Sequence, residues 1–413
     1  MKKLLLIPLA FLCFSLMSCS KEDDPPPTPE PEPVDNSPLA VAKTNPMKVY
    51  VHYMPWFETK ETSSNGSWGM HWTMSTRNPD NIDGDGKREI AAHFYPSIGP
   101  YASSDKDVIE YHLLLMKYAG IDGLIIDWYG SYNINDFGSN KTNSEAVINK
   151  LDEVGLTFAL TYEDWTVNSV VEKGEASTAV EAATADFTYM DNNYFNLDTY
   201  IKINNKPLLT VFGPQTIQNG NDWTTILASI STSPTFLSLW YESGDLGANA
   251  TGEFSWVYQD NTHIDNFYKN QIKKFDVGMG SAYPGFKDYY AEGGWGTSIG
   301  WTIEHNNGLT FDKTLELASN AKIDYLQLAT WNDFGEGTMI EPTLEFEYMY
   351  LEKLQEFTGV LYAKDAFEYI TKLYNLRKTN ADNSTIQKEL DKAYIHFVKL
   401  ELDEAKAIID AQN

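Results

Sequence analysis

The sequence contains only two cysteines, Cys13 and Cys19, and both lie close to the N-terminus. Every residue after Cys19 belongs to a chain without thiols, so disulfide bonds, thiol nucleophiles and cysteine metal sites are excluded from the main part of the protein. A chain of 413 residues is long enough to bury a large core without such cross-links.

Histidine is scarce too, and the seven histidines show no metal-ligand spacing such as His-Glu-x-x-His. Residues 81–86 are similar to a calcium loop, but Ala92 stands at the twelfth position, where a bidentate glutamate is needed, which favours a solvated turn. We therefore predict no metal and no cofactor. The lack of a Gly-x-Ser-x-Gly motif argues against a serine hydrolase.

Basic residues are few: 31 Lys and Arg stand against 58 Asp and Glu, a net charge of −27. Such a chain will not bind nucleic acid through phosphate contacts, and anionic polysaccharides are poor ligands for the same reason. Neutral glycans carry no such penalty, although an acidic surface also simply keeps a protein soluble.

The one long apolar run, residues 4–16, is too short to cross a bilayer and follows a basic start. Leu16-Met17-Ser18-Cys19 looks like a bacterial lipoprotein cleavage box. We predict a signal peptide over residues 1–18, a lipidated Cys19 and an extended proline-rich and acidic tether over residues 19–46. Residues 20–24 are similar to the acidic tag of surface-exposed lipoproteins, which predicts an outer-membrane anchor with the protein facing outwards.

Apolar runs alternate with helical patterns along most of the chain. Strands are predicted at residues 48–53, 123–128, 156–162, 207–212, 236–241, 255–258, 276–282 and 324–330, and helices between them at residues 105–119, 143–154, 176–189 and 313–320. This α/β alternation predicts a (β/α)8 TIM barrel with long loops over residues 47–362. A doubly wound sheet is the alternative, but no Gly-x-Gly-x-x-Gly turn follows the first strand.

The C-terminal part, residues 363–413, has two amphipathic patterns, over residues 363–378 and 385–412. They predict a helical hairpin appended to the barrel.

Polar and aromatic residues gather at the predicted strand ends, where a barrel carries its active site. The predicted substrate-binding residues are Tyr53, Trp56, His71, Trp72, Asp127, Trp128, Tyr162, Glu163, Trp240, Tyr241, Tyr283 and Asn332. Core packing alone does not explain polar and aromatic residues at seven of eight strand ends.

Two carboxylates follow the eighth strand in the run Thr330-Trp331-Asn332-Asp333-Phe334-Gly335-Glu336-Gly337-Thr338. Cleavage of a glycosidic bond needs a proton donor, a base or nucleophile, and aromatic surfaces for sugar rings. Asp333 and Glu336 are therefore the predicted catalytic pair. The alternative is a strand end whose Asp333 caps the following turn.

Several motifs resemble glycoside hydrolase family 99. They are Val51-His52-Tyr53-Met54-Pro55-Trp56, residues 93–101, residues 119–121, Asp127-Trp128-Tyr129, and residues 331–342. The resemblance covers residues 47–357 and implies a metal-free (β/α)8 barrel that cuts α-mannosides internally. It also implies that Glu336 is the general acid/base, and that residue 333 deprotonates the sugar 2-hydroxyl to form a 1,2-anhydro sugar with net retention.

Residue 333 departs from the family pattern Asn-Glu-x-x-Glu, because this chain has Asp there. The run Trp331–Glu336 is also similar to glycoside hydrolase family 71, whose members cut α-1,3-glucan. Three interpretations stay open: an endo-acting α-mannosidase, an α-glucanase or other glycosidase on the same scaffold, and a surface glycan-binding protein without catalysis.

Overall fold

The computed structural model describes residues 36–412. The predicted signal peptide, the lipidated Cys19 and most of the tether lie outside these residues. Within the described residues, no helix is both long and apolar enough to cross a membrane.

Eight parallel strands form a closed barrel, which confirms the predicted (β/α)8 fold. They are β1 (Lys48–Tyr53), β2 (Gly123–Trp128), β3 (Thr157–Tyr162), β4 (Lys206–Val211), β5 (Thr235–Leu239), β6 (Gly252–Phe254), β7 (Val277–Ala282) and β8 (Tyr325–Leu328). Strand β1 pairs with both β2 and β8, and β3 pairs with β4, which closes the ring. A short strand, Lys202–Ile203, pairs antiparallel with the start of β4.

Strands β1 and β2 have the predicted bounds, but the sixth strand lies earlier than predicted, at Gly252–Phe254 instead of residues 255–258. The reason is that Gly252 and Glu253 are not the apolar or β-branched residues that indicate a buried strand in a sequence. A Cβ added to Gly252 would lie 1.7 Å from the Val277 carbonyl oxygen, so only glycine fits. Glu253 is fully buried and accepts hydrogen bonds from the Tyr241 N–H and the Gln271 amide.

Helices connect the strands and cover the barrel. Their bounds are Met70–Thr73, Lys106–Tyr118, Phe137–Val154, Thr166–Glu172, Ala179–Asn193, Gly220–Leu227, Ser243–Leu246, Asn261–Asn266, Tyr290–Gly293, Leu309–Ala321 and Met349–Thr358. Local sequence sets their ends: the Asp105 carboxylate caps the second by accepting from the Asp107 N–H, and Gly155 ends the third at a φ of +78°.

The C-terminal region contains Lys364–Thr379, Ser384–Val398 and Leu402–Asp410. The second predicted helix is thus two helices, because the chain turns at Leu400, whose φ is +62°. The first C-terminal helix packs on Lys106–Tyr118 of the barrel. There, Arg377 donates Nε to Glu110 Oε1 at 2.6 Å and Nη2 to Oε2 at 3.0 Å, and both side chains are buried.

Candidate active site

The turn after β8 carries the two predicted catalytic carboxylates. The Asp333 N–H donates to Thr330 Oγ1 at 2.8 Å, and Asp333 Oδ1 accepts from the Glu336 N–H at 2.9 Å. Asp333 is buried, whereas Glu336 is partly exposed. The Asp333 side chain therefore fixes the backbone at Glu336. The other oxygen of Asp333, Oδ2, takes no part in this contact.

The loop after β7 lies against this turn through two backbone hydrogen bonds. The Lys287 N–H donates to the Glu336 carbonyl at 2.7 Å, and the Tyr289 N–H donates to the Gly335 carbonyl at 2.8 Å. A Cβ on Gly337, whose φ is +66°, would lie 2.9 Å from the Lys287 carbonyl oxygen. The second glycine of the motif is thus required by both its conformation and this close approach.

Both carboxyl groups have raised pKa values. Burial, with a smaller contribution from the charge of Asp127, raises the pKa of Asp333 to about 7. Burial, and then the charge of Asp333, raises the pKa of Glu336 to about 8. The Tyr290 hydroxyl opposes the second shift by donating to Glu336 Oε1 at 2.7 Å. The larger rise at Glu336 favours the protonated form of Glu336 and the ionised form of Asp333, as an acid and a base acting together require.

Aromatic rings form the walls of a cavity of about 140 Å³ beside Asp333. The Trp56 indole and the His71 imidazole are stacked with centroids 4.1 Å apart and an interplanar angle of 3°. Trp295 contacts the His71 ring edge-on at 5.7 Å, and Tyr129 also lines the cavity. Flat apolar walls with a carboxylate beside them suit a sugar ring.

A second carboxyl pair lies at the ends of β2 and β3. Asp127 and Glu163 are both buried, and His52 Nε2 lies 4.0 Å from Asp127 Oδ1. Burial raises the pKa of Asp127 to about 7, and burial together with the charge of Asp127 raises the pKa of Glu163 well above its ordinary value. Because burial also lowers the pKa of His52 to about 4, the histidine is neutral and does not offset these carboxyl groups.

Several predicted substrate-binding side chains are instead buried within the protein: Tyr53, Trp72, Trp128, Tyr162, Tyr283 and Asn332. Their polar atoms mostly bond to neighbours inside the fold. For example, the Tyr162 hydroxyl donates to Asp186 Oδ2 at 2.8 Å, and the Trp72 indole donates to the Tyr101 carbonyl at 2.8 Å. Asn332 joins the catalytic turn to the end of β1, because its side chain both accepts from the Met54 N–H and donates to the Met54 carbonyl. The six side chains are at most 1% exposed, so they present almost no surface to a ligand in this structure.

Trp240 and Tyr241, also predicted as substrate contacts, are not among the residues that line the cavity beside Asp333. Trp240 packs against Tyr258 and Phe267, and Tyr241 is 56% exposed.

Four residues that line the cavity were not predicted from the sequence: Phe57, Met74, Tyr290 and Trp295. Tyr290 and Trp295 lie in the loop after β7, well beyond the strand end where aromatic residues were expected. Gly293 and Gly294, directly before Trp295, were the available signal for a structured loop.

The described residues contain no group of three or more His, Cys, Asp or Glu side chains that could hold a metal ion. In the loop at residues 81–86, Asp83 Oδ1 instead accepts from the N–H groups of Asp85 and Lys87.

A closed (β/α)8 barrel with paired carboxylates and aromatic walls at the C-terminal strand ends is the arrangement of a glycoside hydrolase. The model of glycosyl hydrolase family 99 matches residues 45–239, which run from just before β1 to the end of β5. The resemblance to glycoside hydrolase family 99 is thus confirmed, although the turn with Asp333 and Glu336 lies beyond the matched residues.

The chain is also similar in sequence to proteins with endo-alpha-1,2-mannosidase names. A human glycoprotein endo-alpha-1,2-mannosidase-like protein is 23% identical over 292 residues, which cover 62% of this chain and 58% of the relative. A glycoprotein endo-alpha-1,2-mannosidase from Xenopus laevis is 22% identical over 72% of this chain and 70% of its own length. The chain therefore spans less than two thirds of the human relative.

Among solved structures, the GH99 endo-alpha-mannosidase from Bacteroides thetaiotaomicron has a TM-score of 0.60 at 17% identity. The match covers 79% of this chain and 98% of that one, so the two share the fold over nearly the whole bacterial enzyme.

Proposed function

We propose that the protein is an endo-acting, retaining glycosidase that cleaves α-1,2-mannosidic linkages in a neutral glycan. The observation that carries this proposal is the turn that places Asp333 and Glu336 together, with Tyr290 on Glu336 and an aromatic cavity alongside. The names of the relatives support mannose as the sugar. The buried carboxyl groups near the cavity favour a neutral substrate, because an anionic sugar would be repelled.

In the proposed mechanism, Glu336 protonates the departing glycosidic oxygen while Asp333 takes the proton of the sugar 2-hydroxyl. The 2-oxygen then attacks C1 from the opposite face, which breaks the glycosidic bond and forms a 1,2-anhydro sugar. Water opens this ring at C1, with Glu336 accepting the proton of water and the 2-oxygen recovering a proton from Asp333. Two inversions at C1 give net retention.

Asp333 is one methylene shorter than the glutamate of the family pattern, so its carboxylate is set back by roughly 1.5 Å. Since Oδ1 is bonded to the Glu336 N–H, Oδ2 is the oxygen that would receive the proton. The sugar must therefore sit deeper, towards Asp333, than a glutamate would require.

The roles of the carboxylates are tested with two variants and two kinds of substrate. Glu336→Gln should abolish cleavage of a natural linkage but spare an aryl glycoside whose leaving group needs no proton. Asp333→Asn should impair both substrates, because Asp333 acts on the sugar. Calorimetry should show that each variant still binds glycan. Wild-type turnover in both variants would contradict the proposal.

The substrate is tested by incubating the protein with yeast mannan, α-1,3-glucan and starch, and identifying the products by chromatography. We expect mannose-containing oligosaccharides from mannan alone. Products from α-1,3-glucan would support the alternative function, an α-1,3-glucanase. Asp333 also favours this alternative, because the run Trp331–Glu336 is similar to glycoside hydrolase family 71. Tight glycan binding without any cleavage would favour a binding protein, and Asp333→Glu would then test whether one methylene restores hydrolysis.

We also propose that the protein is a lipoprotein exposed on the outer-membrane surface, on the basis of the cleavage box that ends at Cys19. Cys19→Ala should abolish lipid labelling and release the protein in soluble form. Membrane attachment that persists in this variant would show that the cleavage box was misread.

A further inference from the structure

A second cavity, of about 340 Å³, lies at the N-terminal ends of the barrel strands, on the face away from the carboxylate pair. Its walls include the starts of β1 and β3 and three residues that precede β1, Ala40, Val41 and Lys43. Four lysines line it (Lys43, Lys48, Lys117 and Lys202), and Asp122 is the one carboxylate among the lining residues. In a chain with a net charge of −27, such a concentration of positive charge requires an explanation.

Asp122 does not neutralise this cavity. Its carboxylate accepts from Lys43 Nζ, from Lys48 Nζ at 3.0 Å and from the Val49 N–H at 2.9 Å. One negative charge is thus shared between two ammonium groups, and Lys117 and Lys202 have no carboxylate partner among residues 36–412.

Lys117 is 2% exposed, which is unusual for a lysine. Its Nζ donates to the Leu39 carbonyl at 2.6 Å and to the Val154 carbonyl, at the end of a helix, at 2.7 Å. An ammonium group has three donors, and the third finds no acceptor within the described chain. Burial without a counter-ion lowers the pKa of Lys117 to about 8. The neutral carbonyls only partly offset the cost of burying this charge, which an anion would remove.

We infer that this cavity binds a phosphate group, with Lys48, Lys117 and Lys202 as its ligands. Lysine binds phosphate as a point charge, and the four lysines exceed Asp122 by three positive charges, which is enough to neutralise a phosphate dianion. The phosphate comes either from a free anion or from a lipid headgroup, because the chain that lines the cavity leads towards the predicted anchor at Cys19. This site is independent of the proposed glycosidase activity.

The first test is calorimetric titration of the full chain with inorganic phosphate at constant ionic strength, with chloride as the balancing anion. We expect saturable binding at one site. The double variant Lys48→Ala/Lys202→Ala should weaken it on the order of tenfold, since each ammonium contributes a charge-assisted contact. Both side chains are exposed, so the variant should fold, which circular dichroism checks.

The matched control is Lys388→Ala, which removes one exposed lysine from a C-terminal helix and should leave phosphate binding unchanged. A lack of saturable phosphate binding would overturn the inference. An equal loss of affinity in the control and in the single variant Lys202→Ala would also overturn it, because general charge would then explain the effect.

The second test separates the two sources of phosphate. The Cys19→Ala form, which has no predicted acyl chain, is floated with vesicles of phosphatidylglycerol or of phosphatidylcholine. Binding to the anionic vesicles that Lys48→Ala/Lys202→Ala reduces would identify a lipid headgroup as the ligand. Phosphate binding without vesicle binding would identify a free anion.

Discussion

The strongest test of the site's electrostatics is the stability of Asp333→Asn as a function of pH. In the folded protein the pKa of Asp333 is raised from 3.8 to about 7 by burial. The folded state therefore holds this proton more tightly than the unfolded chain does. The contribution of the protonated Asp333 to the free energy of unfolding is lost as the pH rises from about 4 to about 7. Asparagine is nearly the same size, keeps an oxygen for the Glu336 N–H, and has no such dependence.

The size of this effect on the free energy of unfolding follows from the pH range over which Asp333 loses its proton. Between pH 5 and pH 8.5 the wild type loses the contribution of two pKa units, from 5 to about 7, at ~1.4 kcal/mol each. The stability of Asp333→Asn relative to wild type should thus rise by ~3 kcal/mol between these two pH values. Any constant cost from the unpaired amide N–H cancels in this comparison.

The assay is urea unfolding at both pH values, followed by the fluorescence of the 11 tryptophans. Asp403→Asn, which removes an exposed carboxylate from the last helix, controls for the change in net charge. A relative stability that is the same at pH 5 and pH 8.5 would refute the reasoning, because Asp333 would then carry no pH-dependent cost in the folded state.

Three further predictions follow from the same contacts. Hydrolysis of mannan should have a bell-shaped pH profile with its maximum between about pH 7 and 8, because Asp333 is protonated below this range and Glu336 is ionised above it; a flat profile from pH 5 to 9 would contradict this assignment. Tyr290→Phe should move the alkaline limb of kcat to higher pH, because the lost hydrogen bond favours ionised Glu336; an unmoved limb would show that the contact does not matter in the working enzyme. Arg377→Met should lower the free energy of unfolding by about 3–5 kcal/mol because it leaves Glu110 buried and unpaired, and the double variant with Glu110→Leu should recover most of this loss in urea unfolding; a near-zero effect of Arg377→Met would mean that the pair is not buried in solution.

The barrel could be predicted from the sequence because most of its strands are buried on both faces and appear as continuous apolar runs. Strand β2 shows this well, since all six of its residues are buried. Strand β6 could not be placed in this way. Gly252 is required there by the approach of the neighbouring strand, and Glu253 is held by partners distant in the sequence, so neither residue carries a local strand signal.

The grouping of the site residues, but not all of their contacts, could be predicted from the fold. A barrel brings all the strand ends to one face, so Asp127, Glu163 and the Asp333 turn could be grouped from the sequence. Which aromatic side chains face the ligand depends on packing, and Trp128 contacts Tyr162 and other rings inside the fold. Tyr290 could not be predicted, because its hydrogen bond to Glu336 depends on the path of a long loop.

The two alternatives that the sequence left for Asp333, a turn cap or a catalytic base, are compatible in the structure. An aspartate side chain is short enough to accept a hydrogen bond from a backbone N–H three residues later, and here Oδ1 does so with the Glu336 N–H. The cap uses one oxygen and leaves the other for the proposed proton transfer. It also sets the separation of the two carboxylates through the backbone, so a change of side-chain length at residue 333 alters both the base and the position of Glu336. A return to glutamate at this position is therefore expected to move the acid as well as the base.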